Sequence, residues 1–75
     1  MNDFTIIYKN KKLSNREKVF KFREIAYKAW ERKDYDKAIE FINHAIDFSE
    51  YLQDDEVLEW DLIRIYNEKE GYIDV

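Results

Sequence analysis

The chain has 75 residues, enough for one domain but too few to bury a large core. It contains no cysteine, no proline and one glycine, which excludes disulfides and favours long helices over an all-β fold. The net charge is −4, with eleven Lys/Arg against six Asp/Glu in residues 1–37 and two against eleven in residues 38–75. This balance does not favour nucleic acid as the partner.

The N-terminal segment is predicted to be extended. Residues 4–8 read Phe-Thr-Ile-Ile-Tyr, a run of β-branched and aromatic types that is typical of a strand. A polar turn of lysines and Asn10 follows it. We therefore expect residues 1–13 to form a short strand or an extended arm.

The first helix is predicted to span about residues 15–32. Ser14 and Glu17 have the spacing of a capping box, in which each side chain satisfies a backbone N–H of the first turn. Apolar residues then recur every three or four positions, which places them on one helix face. This face comprises Val19, Phe22, Ile25, Ala26, Ala29 and Trp30.

The second helix is predicted over about residues 35–52, with Asp34 as its N-cap. Its apolar face is broad, which indicates a helix packed between two neighbours. Ala38 and Ala45 are seven residues apart and share one side, so a second helix can approach closely there. Ala26 of the first helix is the expected opposing contact.

The third helix is predicted over about residues 55–69, with Asp54 or Asp55 as its cap and Gly71 as its stop. One face is formed by Leu58, Leu62, Ile65 and Tyr66, whereas Val57, Trp60 and Ile63 lie off that line. Residues 71–75 are predicted to be a tail, and pairing of residues 72–75 with residues 4–8 stays open.

Residues 19–52 resemble one tetratricopeptide (TPR) repeat. The residues that fall at the family's positions, or one step from them, are Asp34, Tyr35, Ala38, Ile39, Phe41, Ala45 and Ile46 in the second helix and Phe22, Ile25 and Ala26 in the first. Lys33, Ala29 and Glu50 depart from the glycine, large aromatic residue and proline of the family. The resemblance implies an all-α fold, a three-helix antiparallel TPR-like hairpin plus capping helix over residues 14–70. The microtubule-interacting and trafficking domain is a less favoured alternative.

The resemblance also implies a non-catalytic module that binds another protein in a groove lined by the first helix. The candidate contacts there are Arg16, Arg23, Tyr27 and Trp30. Trp60 is a further candidate, because it lies off the apolar line and tryptophan is enriched at binding hot spots. A core position for either tryptophan is the alternative.

The charge asymmetry leaves four other interpretations open. The two halves can neutralise each other within the fold, or they can drive self-association, for example as a homodimer. An acidic face over residues 47–61 is typical of a small inhibitor or immunity-type protein. The basic first half, with Phe20 and Tyr27 interleaved, is the weaker case for nucleic-acid binding.

No catalytic, metal or cofactor site is predicted. The chain has no cysteine, and Ser14 is better explained as a cap than as a nucleophile. His44 lies at helical spacing from Glu40 and Asp47, and this group is expected to be a solvated helix face. The chain shows no signal-peptide pattern and no apolar run long enough for a membrane span, so a cytoplasmic protein is expected.

Overall fold

The computed structural model describes residues 2–50 and 52–71, and within them it contains four helices and no strand. Helix α1 spans Asp3–Tyr8, α2 spans Asn15–Glu31, α3 spans Tyr35–Phe48 and α4 spans Leu52–Glu70. Helices α2 and α3 form the most extensive contact, α4 packs against α3, and α1 packs against α2. The predicted all-α fold class is confirmed, whereas the predicted tail at 72–75 lies outside the described residues.

The extended segment predicted over residues 4–8 is wrong, because Asp3–Tyr8 is a helix. The Asn2 side chain caps it by accepting from the Thr5 N–H at 2.8 Å, and Asp3 adds a negative charge to the first turn. β-Branched residues have only a weak preference for strands, and tertiary contacts override it here.

Helix α1 is held by an aromatic cluster. The Phe4 ring lies 5.8 Å from the Phe22 ring and 4.1 Å from the His44 ring, between centroids. The Tyr8 ring meets Phe48 edge-on at 5.6 Å. His44 is therefore half-buried among rings, which corrects the prediction of a solvated helix face. Its Nε2 also lies 3.6 Å from Glu40 Oε1.

The ends of α2 follow from its sequence. Ser14 and Glu17 form the predicted capping box. At the other end, the Asp34 N–H donates to the Ala29 carbonyl and the Lys33 N–H donates to the Trp30 carbonyl, each at 2.9 Å. This is a Schellman cap, and it places Lys33 at a φ of 64°. Asp34 then caps α3 by accepting from the Lys37 N–H, as predicted.

Small residues allow α2 and α3 to approach closely. Ala26 and Ala29 of α2 and Ala38 and Ala45 of α3 are fully buried. Larger side chains fill the space around these contacts, and Phe22 and Ile42 are completely enclosed. The full burial of Ala38 and Ala45 agrees with their predicted role as close-approach positions.

The connection between α3 and α4 is earlier in the chain than predicted. Helix α3 ends at Phe48 rather than residue 52, because Ser49 adopts an extended conformation. Helix α4 begins at Leu52, so Asp54 and Asp55 lie in its first turn rather than at its cap. Their charges still favour the helix start. The Asn15 side chain donates to Glu50 at 2.6 Å, which fastens this connection to the start of α2.

Leu58 and Ile65 are the α4 side chains that enter the core completely. The end of α4 is joined to the start of α3 by an exposed ion pair between Lys69 Nζ and Asp36 Oδ1 at 2.7 Å. This hydrogen bond raises the pKa of Lys69 above its usual value. Within the described part of the chain, no helix has both the length and the apolarity needed to cross a membrane.

Candidate interaction surface

A chain of hydrogen bonds joins α2 to α4. The Arg23 guanidinium donates to the Tyr27 hydroxyl at 3.0 Å, and that hydroxyl donates to the Asp61 carboxylate. The Arg23 guanidinium also stacks over the Tyr27 ring, 5.6 Å from its centroid. Two of the predicted binding residues therefore hold the fourth helix in place.

Asp61 accepts the last hydrogen bond of this network. It is a buried charged residue, with 8% of its surface exposed. A carboxylate removed from water needs hydrogen-bond donors, and the Tyr27 hydroxyl supplies one. Burial, together with the Asp61 carboxylate, raises the pKa of Tyr27 above its usual 10.0. The phenol therefore stays protonated and acts as a donor to Asp61.

Trp30 forms the second link between these helices. Its indole Nε1–H donates to Glu68 Oε2 at 2.7 Å, and its ring lies 6.4 Å from the Tyr27 ring. Trp30 is half-buried against the core. Because Glu68 lies seven residues after Asp61, the two links are two helical turns apart along α4.

Two shallow depressions adjoin this network. One, of about 470 Å³, is lined by Phe20, Arg23, Glu24, Tyr27, Lys28 and Glu31. The other, of about 410 Å³, is lined by Tyr27, Trp30, Glu31, Lys33 and Glu68. They share Tyr27 and Glu31, so they form one open groove along α2, which is called the α2 groove below.

An exposed apolar surface lies on the opposite side of α4 from its core contacts. Val57, Trp60, Ile63 and Tyr66 are all exposed, and 63% of the Trp60 surface is accessible. They follow one another at intervals of three residues, which makes neighbours of successive side chains on a helix. These four residues are called the α4 face below.

Acidic side chains border the α4 face. Glu56, Glu59, Glu68 and Glu70 are exposed on α4, against two exposed cations in the same stretch, Arg64 and Lys69, of which Lys69 is paired with Asp36 of α3. Large apolar groups with negative charges around them form an acidic, aromatic surface. Single exposed apolar residues are ordinary on proteins, whereas a contiguous row on one helix is typical of an interaction site.

The five predicted site residues fall into two groups. Arg23, Tyr27 and Trp30 are brought together beside the α2 groove. Arg16 lies two turns before Arg23 on α2, with its guanidinium 5.6 Å from the Phe20 ring centroid. Trp60 lines neither depression and stands on the α4 face, as an exposed residue rather than a core one.

Sequence reasoning missed the extent of the α4 face. Tyr66 was predicted to share the buried line with Leu58 and Ile65, but it is exposed. Val57 and Ile63 lie off that line together with Trp60, and this was the signal that could have identified them. A helix with apolar residues on opposite sides has more apolar surface than one neighbour can cover.

The described residues contain no group of three His, Asp or Glu side chains arranged to hold a metal ion. No protein-family model, curated protein or solved structure matches this chain.

Proposed function

We propose that this protein is a non-catalytic protein-binding module whose binding surface is the α4 face. The observation that carries the proposal is the exposure of Val57, Trp60, Ile63 and Tyr66 on one helix that is otherwise packed against the core. Tryptophan and tyrosine are the residues that contribute most at protein interfaces. A bound partner helix would cover these side chains and give α4 its second neighbour.

Within this proposal, α2 and α3 are a TPR-like hairpin and α4 is the helix that follows it. Two structural features support this description. Lys33 has a positive φ at the turn where the family has glycine, and Ala26, Ala38 and Ala45 are buried at the helix contact. The family's expected ligand surface is then the α2 groove, which Arg23, Tyr27 and Trp30 line, together with Arg16 farther along α2. This surface is the second candidate for binding.

The α4 face is the better candidate because its side chains are exposed, whereas those of the α2 groove take part in hydrogen bonds within the fold. Tyr27 and Trp30 hydrogen-bond to Asp61 and Glu68, so a ligand in the α2 groove would compete with contacts that position α4. Trp60, in contrast, is largely exposed. A partner on the α4 face gains apolar burial without breaking those bonds.

A second candidate function is inhibition of a partner through charge, which the acidic border at Glu56, Glu59 and Glu70 favours. Exposed charges are screened beyond about 8 Å at physiological ionic strength. Binding that depends on charge alone should therefore fall steeply with salt, whereas binding anchored by Trp60 should persist. Nucleic-acid binding stays a third, weaker candidate that a mobility-shift assay tests.

We assign the protein no catalytic role, and we place it in a reducing compartment such as the cytoplasm, because it has no cysteine for disulfides.

The test compares two exposed aromatic residues. Immobilised wild-type protein, Trp60→Ser and Phe20→Ser are used to capture partners from a lysate of the source cells, with quantification by mass spectrometry. Phe20 is the matched control, because 48% of its surface is exposed and it lies beside the α2 groove. For a protein held on the α4 face, Trp60→Ser should weaken binding about 30-fold, the size of a 2 kcal/mol hot spot.

Loss with Phe20→Ser and retention with Trp60→Ser would move the site to the α2 groove. Equal retention by both variants would contradict binding through either aromatic surface. Repeating the capture in high salt separates the anchored mode from the charge-driven one, since only the latter should disappear.

A further inference from the structure

A groove between α1 and α2 of the same molecule has features complementary to the α4 face. This groove, of about 390 Å³, has an apolar lining that includes Ile6, Leu13 and Ile25. Lys21 and Lys28 line it as well. It is called the α1–α2 groove below.

The charges around the α1–α2 groove are mainly positive. Within the lining itself Asp3 and Glu24 balance Lys21 and Lys28, and Glu24 is paired with Lys28 at 3.3 Å. The turn beside the groove adds exposed cations at Lys9, Lys11 and Lys12. The groove therefore combines an apolar floor with a basic surround, the reverse of the acidic surround of the α4 face.

We infer that the occupant of the α4 face is the α1–α2 groove of a second copy of this chain, so that molecules associate head to tail. This inference rests on the proposed function and names its partner. The Trp60 side chain of one copy enters the groove beside Ile6 and Ile25 of the next. Glu56 and Glu59 then approach Lys21 and the lysine-rich turn.

Charge complementarity selects this arrangement over the symmetric one. Two α4 faces placed against each other would bring Glu56, Glu59 and Glu70 of both copies together, and like charges in contact oppose association. The α4 face and the α1–α2 groove are on different helices, so each molecule can use both at once. Such a contact is heterologous, and it continues into a ring or an open chain of molecules.

The experiment measures molar mass by sedimentation as a function of protein concentration. The wild-type mass should rise above the monomer mass of 9.3 kDa and should pass the dimer. Trp60→Glu removes the α4 face, and Ile6→Ser/Lys21→Glu removes the groove; each should weaken association at least about 30-fold. Phe20→Ser should associate as the wild type does, because Phe20 lies on neither surface.

Mixing the two defective proteins is the decisive step. Trp60→Glu retains a working groove and Ile6→Ser/Lys21→Glu retains a working α4 face, so an equimolar mixture has one productive contact. It should form a species of twice 9.3 kDa and nothing larger. Circular dichroism of each variant verifies that its helices are intact.

A wild-type protein that stays at 9.3 kDa at millimolar concentration would overturn the inference. A wild-type dimer that Trp60→Glu abolishes and the mixture fails to restore would also overturn it, in favour of a symmetric contact. Either result leaves the proposed function to the capture experiment. A monomer that still retains a foreign protein through Trp60 keeps the α4 face as a binding surface but not for a second copy.

Discussion

Tyr27 belongs both to the predicted binding site and to the hydrogen bonds that join α2 to α4. Its hydroxyl accepts from Arg23 and donates to Asp61, and the Arg23 Nε is buried without a hydrogen-bond partner in the described part of the chain. One buried Arg23 donor thus stays unsatisfied, while the Tyr27 hydroxyl supplies the buried Asp61 carboxylate with a hydrogen bond. Such a network contributes less to total stability than to the position of the helices that it joins.

The raised pKa of Tyr27 predicts a specific pH dependence. Because the folded-state pKa is above the unfolded value of 10.0, the stabilising contribution is complete below pH 10 and is lost as the pH rises through the folded-state pKa. Tyr27→Phe should lower the free energy of unfolding at neutral pH by about 1 kcal/mol, since it removes two partly exposed hydrogen bonds. The difference between the two proteins should shrink above pH 10.

Urea unfolding of the wild type and Tyr27→Phe on both sides of pH 10 measures this difference. The comparison cancels the titration of the lysines and of the other tyrosines, which both proteins share. A stability difference that stays constant across this pH range would mean that the Tyr27 hydroxyl does not donate a hydrogen bond to the Asp61 carboxylate.

Among the elements, the turn between α2 and α3 contains a strained residue. Lys33 occupies the left-handed region with a φ of 64°, where a side chain costs roughly 1–2 kcal/mol and glycine costs little. Lys33→Gly should therefore raise the free energy of unfolding, by about 0.5–1 kcal/mol once the greater freedom of glycine in the unfolded chain is subtracted.

Lys33→Ala is the matched control for this prediction. It removes the same charge but keeps a Cβ atom in the left-handed conformation, so its stability should stay close to that of the wild type. Thermal and urea unfolding of the three proteins give the comparison. Equal stabilisation by alanine and glycine would attribute the effect to the lost charge rather than to backbone strain.

The elements show which local signals in this sequence are reliable. The starts of α2 and α3 could be predicted because Ser14, Glu17 and Asp34 supply hydrogen bonds that act within one turn. The helical state of α1 could not be predicted from its strand-forming residues. It depends on Phe4 reaching Phe22 and His44, contacts that span many residues along the chain.

At the scale of the whole molecule, the candidate site was predicted in its residue types more than in its location. Trp60 was identified because it departs from the buried line, and that departure is readable from helical spacing. Tyr27 and Trp30 were predicted to line a binding groove on the first helix. That prediction did not include Asp61 and Glu68 of α4, which hydrogen-bond to these two residues. Helix order along the chain does not reveal which polar side chains of distant helices meet.

A comparison of the two sides of α4 tests whether the α4 face serves binding rather than folding. Trp60→Ser and Ile63→Ser should each change the free energy of unfolding by no more than about 0.5 kcal/mol, as exposed substitutions usually do. Leu58→Ala and Ile65→Ala, on the buried side of the same helix, should each cost about 2–5 kcal/mol. Urea unfolding at a concentration where the wild type is monomeric measures all four. If Trp60→Ser lowered the free energy of unfolding as much as Leu58→Ala does, Trp60 would be a stabilising residue of the folded monomer. That result would contradict the argument that the α4 face serves to bind a partner.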